Sequence, residues 1–395
     1  MPSGKARNNG LISNNLRYGM DSWKPRRCWT LVTLAIGWAA CGSGSTEASV
    51  ADAPTTSARS IVTLGSPRAP GRSKKTAEVP AAPASSTTCA VPVACAGTTT
   101  GSWCVDSFFP TETSSAEFGG VWSSGPDDVW AVGWRNTAQQ SDANGFAFHW
   151  DGCTWSQVAI STTAGLNDVW GSGPADVWIV GAQGNAWHWN GSAWAAVPTG
   201  ATGTFNHVSG TSASDVWTIG NAGLYHWDGS TWTADPRVAV NAEDGFLGDL
   251  WAAAPNDVWI AEGLNARGSV AHYDGTAWTV TQPSPDTAFG LFGIWSSGAA
   301  TWAVGEGKQV MRNTTAGWTQ LQPPGGSAQG WINAMGSDSE VWASGQSVAR
   351  ATGDSFQEVT DAPAGFYPGL WLNSAQVWVA GINNAGAAVI MHRAR

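Results

Sequence analysis

Lysine is nearly missing from most of this sequence: residues 96–395 contain one, Lys308, alongside only 9 Leu and 7 Glu. So few strong helix formers exclude a helical bundle. Basic side chains of either kind are scarce there, 8 Lys+Arg against 25 Asp+Glu, whereas residues 1–95 hold 11 against 4. Phosphate backbones are bound through cationic side chains that release counterions, so nucleic acid is excluded as a partner. Apolar runs long enough for a membrane helix are missing, as are a G-x-S-x-G elbow, a phosphate-binding glycine loop and an H-E-x-x-H pair.

Abundant instead are tryptophan and glycine, 27 and 49 residues, with 24 of the Trp after residue 95. Lys24, Arg26 and Arg27 precede a short apolar run, Cys28 to Ala40, and then small residues, the pattern of an export signal. Residues 41–95 are rich in Ala, Ser, Thr and Pro, which cannot bury enough surface to offset ordering entropy, and are expected to be a flexible tether. Met20 is a plausible start, leaving a signal of ordinary length.

From residue 117 the chain repeats. GVWSSGPDDVWAVG (120–133), DVWGSGPADVWIVG (168–181), HVSGTSASDVWTIG (207–220) and DLWAAAPNDVWIAE (249–262) are the clearest copies, each followed by a block such as FHWDGCTW (148–155) or YHWDGSTW (225–232). The DVW-type Trp falls at 130, 178, 217, 259, 302, 342 and 378, a spacing of about 41 residues that suits propeller blades. Each copy supplies short β-branched or aromatic runs separated by turn residues, with Asp-Gly or Asn-Gly at the strand 3 to 4 hairpin. The seventh copy stops after a third strand, and Gly101-Ser102-Trp103-Cys104-Val105 reads like the missing fourth. The expected fold is all-β: a seven-bladed β-propeller of four-stranded antiparallel blades over 96–395, closed by an N-terminal strand.

Trp38-Ala39-Ala40-Cys41 resembles the lipobox of bacterial lipoproteins, which implies a signal peptide over 1–40 and lipidation of Cys41 as the only membrane attachment. Gly42 after that cysteine implies outer-membrane delivery. The repeat resembles the DVW...HWDGxxW propellers of secreted bacterial proteins, particularly myxobacterial surface lipoproteins, over about 120–395. It is also similar to the Asp-box turn of sialidase-type propellers and to the tectonin propeller lectins. Those resemblances imply a cell-envelope location, periplasmic or surface-exposed, and fix no activity.

His149, His188, His226, His272 and His392 share one slot per blade, so they read as packing rather than as ligands of one metal. Asp128, Asp176, Asp215 and Asp257 are expected to bond turn amides, and the repeated Trp residues to form the core with satisfied indole N–H groups. The slot before the first-strand aliphatic varies: Gly120, Asp168, His207, Asp249, Gly293, Asn333, Gly369. If it faces the channel mouth, Asp168, His207 and Asp249 could form a small acidic site, with Ca²⁺ as a conceivable ion. Further binding candidates are Trp134, a possible exposed platform, and Arg135, Arg237 and Arg267 in connections on one face of the ring. Cys89, Cys95, Cys104 and Cys153 make an even set in an exported chain, expected as two disulfides in one of three connectivities. The resulting expectation is a monomeric, non-catalytic module recognising a glycan or an envelope protein. The alternatives are a sialidase-like hydrolase or lyase, using Arg135, Arg237, Arg267 and Tyr367, and a structural assembly scaffold.

Overall fold

The structure, a computed structural model, describes residues 97–109, 115–135, 144–237, 247–262, 268–283, 290–321, 330–337, 340–353 and 355–395. The expected signal, Cys41, the tether, Cys89, Cys95 and Arg267 lie outside them. The described strands form seven antiparallel sheets. Blade 1 runs Ala116–Gly125, Asp128–Arg135, Asn144–Trp150 and Trp155–Val158 from the inside out. Each innermost strand packs on that of the next blade, and Gly365–Leu372 of blade 7 packs on Ala116–Gly125, so the ring closes.

Blade 7 is assembled from both ends of the described chain. Trp103–Phe108 pairs antiparallel with Ala388–Ala394, setting Cys104 opposite His392. Blade 2 sets Ala195 opposite His188, so Trp103 stands where Trp194 stands there. The closing strand is therefore the one expected. Thr98–Thr100 adds a fifth strand outside it, so this blade exceeds the expected four.

The repeat is a packing code. In blades 1 to 4 the histidine ring stacks on its own blade's DVW tryptophan with centroids 3.9–4.4 Å apart, and Trp378–His392 repeats this in blade 7. Blades 5 and 6 put Arg312 over Trp302 and Arg350 over Trp342 instead. Across every blade interface a second ring meets that tryptophan: Trp155 on Trp378, Trp194 on Trp130, Trp232 on Trp178, Trp278 on Trp217, Trp318 on Trp259, Phe356 on Trp302 and Trp103 on Trp342. Trp103 of the closing strand supplies the last of these contacts.

Two expectations about these residues need correcting. Asp128, Asp176, Asp215 and Asp257 serve chiefly the histidines rather than turn amides: each lies 2.6–2.8 Å from its histidine Nε2, although Asp176 also accepts from the Ser172 N–H. Ser172 and Thr211 also donate to Asp176 and Asp215, both at 2.5 Å. Each aspartate opens the second strand directly after the tight turn, where its carboxylate locks the imidazole across the sheet. Nor are the indole N–H groups all satisfied, since those of Trp103, Trp130, Trp178, Trp194, Trp232 and Trp378 meet no hydrogen-bond acceptor. Edge-on contact with the electron-rich face of a neighbouring ring is the compensation this packing offers. The hairpin aspartates behave as expected: Asp228 accepts from the N–H groups of Ser230 and Thr231, and Gly229 takes φ 93°.

The two ends of the ring differ. Connections from strand 1 to 2 and from strand 3 to 4 take two to four residues, whereas those from one blade to the next take six to twelve. Strands alternate in direction, so the inter-blade and strand 2 to 3 connections share one face, at the start of every innermost strand.

Candidate functional site

At that face the first residues of the innermost strands converge on the channel axis. Asp168 accepts its own blade's Val169 N–H at 2.8 Å and the next blade's Val208 N–H at 2.9 Å. Asp249 repeats the brace, accepting Leu250 N–H at 2.8 Å and Ile294 N–H at 3.1 Å. His207 lies between, with Nδ1 3.3 Å from Asp249 and 3.9 Å from Asp168. The three residues expected to meet do meet. The alternation with glycine in this slot is steric: a Cβ on Gly120 would sit 2.5 Å from the Asp168 Oδ1.

Burial sets the charges here. It pushes the Asp168 carboxyl up to about 7, and the Asp249 carboxyl well above the usual range, although amide N–H bonds oppose this in both. It also pushes the His207 imidazole down to about 4, so at neutral pH the ring is uncharged.

The channel is closed beneath this cluster. Trp251 of blade 4 and Trp371 of blade 7 meet across the axis with centroids 6.4 Å apart, their indoles donating to the carbonyls of Ser296 and Ser123. What remains is a cavity of about 40 Å³ lined by Asp168, Ser209, Asp249, Asn333 and the two tryptophans, among others. Sites that enclose small molecules usually have about 300–1,000 Å³, so this one admits a few waters. Calcium takes about six to eight oxygen ligands, and the four carboxyl oxygens here already accept amide N–H groups, so the donor set does not fit Ca²⁺.

The other candidates separate. Trp134 is half-buried rather than an exposed platform, because its ring leans over Gly119, where a Cβ would come within 2.8 Å of it. Its cross-strand partner is Glu117, which sequence reasoning overlooked and whose carboxyl burial pushes up to about 7. Arg135 stacks over Phe109 at 5.2 Å. Arg237 is committed to Asp235 at 2.6 Å and lies 4.9 Å over Tyr273. Tyr367 is fully buried, its hydroxyl donates to the Pro363 carbonyl, and burial raises its pKa, so it fits no nucleophilic role. Cys104, Asp106 and His392 bring potential ligand atoms within 4.8 Å of one another. Cys104 is not a free thiol, however, so no thiolate is available to a metal there.

No protein-family model and no curated protein matches the chain. Solved structures do. A structure of YCF48 bound to D1 peptide aligns with 76% of this chain and 99% of its own, at 14% identity and TM-score 0.57. The chain resembles YCF48 in fold. YCF48 from Cyanidioschyzon merolae aligns with 73% of this chain and 98% of its own, at 14% identity and TM-score 0.56. The WD40 β-propeller domain of Doa1 covers 71% of this chain and 94% of its own, at 13% identity and TM-score 0.54. At these identities the likeness concerns the propeller fold.

Proposed function

We propose that this chain is a non-catalytic recognition module that binds a protein partner across its long-connection face. The observation that carries this reading is the stopped channel: Trp251 against Trp371 leaves about 40 Å³ beneath the mouth. The channel has no room for an enclosed small-molecule reaction, and recognition falls to the rim and its connections, as is common where loops sit on a rigid scaffold. That the propeller YCF48 has been solved with D1 peptide bound supports a peptide-like partner.

The same proposal places the module in the cell envelope of a two-membrane bacterium, held by lipid on Cys41, with the flexible segment 41–95 as tether and the propeller over 96–395. It pairs Cys104 and Cys153 with Cys89 and Cys95. Supporting that pairing, neither Cys104 nor Cys153 is a free thiol, and they belong to blades 7 and 1, on either side of the ring's seam. Mass spectrometry of the mature N-terminus tests the anchor, with an unmodified Cys41 as the contrary result.

Peptide and glycan arrays probed in parallel with the full-length protein test the central reading. Saturable peptide binding without turnover is expected. Binding confined to glycans would replace the protein partner with a carbohydrate, and turnover of an arrayed ligand would overturn the non-catalytic reading.

A further inference from the structure

Blade 1 carries a second feature at the same rim. Glu117 and Trp134 are directly paired across the two inner strands, so both side chains lie on one face of the sheet. Trp134 leans over Gly119 toward blade 2, since a Cβ on Gly119 would meet both the Trp134 ring at 2.8 Å and the Asn167 carbonyl at 2.3 Å. Both residues are half-buried, which leaves part of each open to a partner. Desolvation shifts the Glu117 carboxyl, and no donor or cation among the described residues draws it back.

No cation among the described residues reaches it. Among the described residues Arg237 is tied to Asp235, Lys308 to Glu358, Arg350 and Arg395 to Glu340, and Arg393 to Asp361. Arg135 and Arg312 lie over Phe109 and Trp302. A half-buried carboxyl beside an indole, with no counter-ion among the described residues, matches the chemistry of a cation held by charge and by a π face. The domain's excess of acidic over basic residues favours a partner of the opposite sign.

Resting on the recognition reading above, we infer that Glu117 and Trp134 form a subsite for a cationic side chain, lysine or arginine, of the bound protein. The carboxylate would take the charge and the indole the aliphatic stem. Trp134 therefore serves the face as the wall of a charge-reading notch rather than as a platform for a sugar ring.

The probes are two peptides, Ac-Gly-Lys-Gly-NH2 and its norleucine isostere, added to full-length protein carrying ¹³C-carboxyl glutamate. Glu117→Gln assigns the Glu117 resonance and removes the charge at almost unchanged shape. The lysine peptide is expected to bind about tenfold tighter than the norleucine peptide and to shift the Glu117 titration to lower pH. That preference should vanish in Glu117→Gln, and Trp134→Leu should weaken binding of both peptides. Equal binding of the two peptides, or a lysine preference that survives Glu117→Gln, overturns the subsite. If array peptides bind the wild type and Glu117→Gln equally, the subsite fails while the recognition reading stands. Failure of every arrayed peptide to bind overturns both.

Discussion

Asp215 accepts from His226 at 2.7 Å, Thr211 at 2.5 Å and the Trp217 indole at 3.1 Å, so one carboxylate serves three donors. Asp215→Ala strands all three and is expected to cost about 2 kcal/mol in urea unfolding. A change under about 0.5 kcal/mol would mean that the imidazole is held by stacking alone. Gly120 makes a second case, because the space its Cβ would need belongs to Asp168. Gly120→Ala is therefore expected to destabilise by about 1–3 kcal/mol, through displacement of a carboxylate that braces two blades. The histidine slot and the hairpin aspartates were legible in the sequence, since a role repeated once per blade shows as periodicity. Glu117 was not, because it precedes the first clear copy and acquires meaning only from its cross-strand pairing with Trp134. Arg312 and Arg350 are not legible for a related reason: they occupy the histidine slot in copies too divergent for the repeat to mark it.

At the scale of the element, the closing strand Trp103–Phe108 is the piece on which the ring depends. Trp103 is completely buried and packs edge-on against Trp342, while Phe108 reaches across the seam to Phe118, Phe148 and Trp155. Truncating a buried aromatic of this kind costs about 3–5 kcal/mol, so Trp103→Ala should lower stability by that amount in thermal or urea unfolding. A loss no larger than that of an exposed substitution would mean that blade 7 closes without it. The strand was readable from the broken seventh copy and the turn before Trp103. The tryptophan stopper was not. Trp251 and Trp371 sit in equivalent slots of blades 4 and 7, and no linear pattern announces that opposite blades touch across the axis.

For the whole molecule, the buried acids give stability an unusual pH dependence. Asp168 and Glu117, each raised to about 7, hold protons in the folded state that the unfolded chain has released, so they lower stability as pH rises toward and through 7. His207 and His392, depressed to about 4, have the opposite sign between about 4 and 6.5, where only the unfolded chain binds their protons. Above pH 6.5 that offset ends, and unfolding free energy should fall from pH 6.5 to 8. Asp176 and Asp215, held below the usual carboxylate range despite their burial by bonds to histidine and hydroxyl groups, lose their stabilisation as strong acid protonates them. The optimum is thus expected in mild acid, and urea titrations from pH 3 to 8 would show it; stability flat or rising above pH 6.5 would contradict the charge assignments.

The measurement that bears most directly on the recognition reading is hydrogen exchange with the tightest array peptide bound. Protection is expected at the long-connection end, in segments 116–120, 133–135, 166–168 and 205–207, with exchange unchanged at the tight turns 126–127, 174–175 and 213–214. Protection confined to those tight turns, or to the outer strand edges, would contradict it.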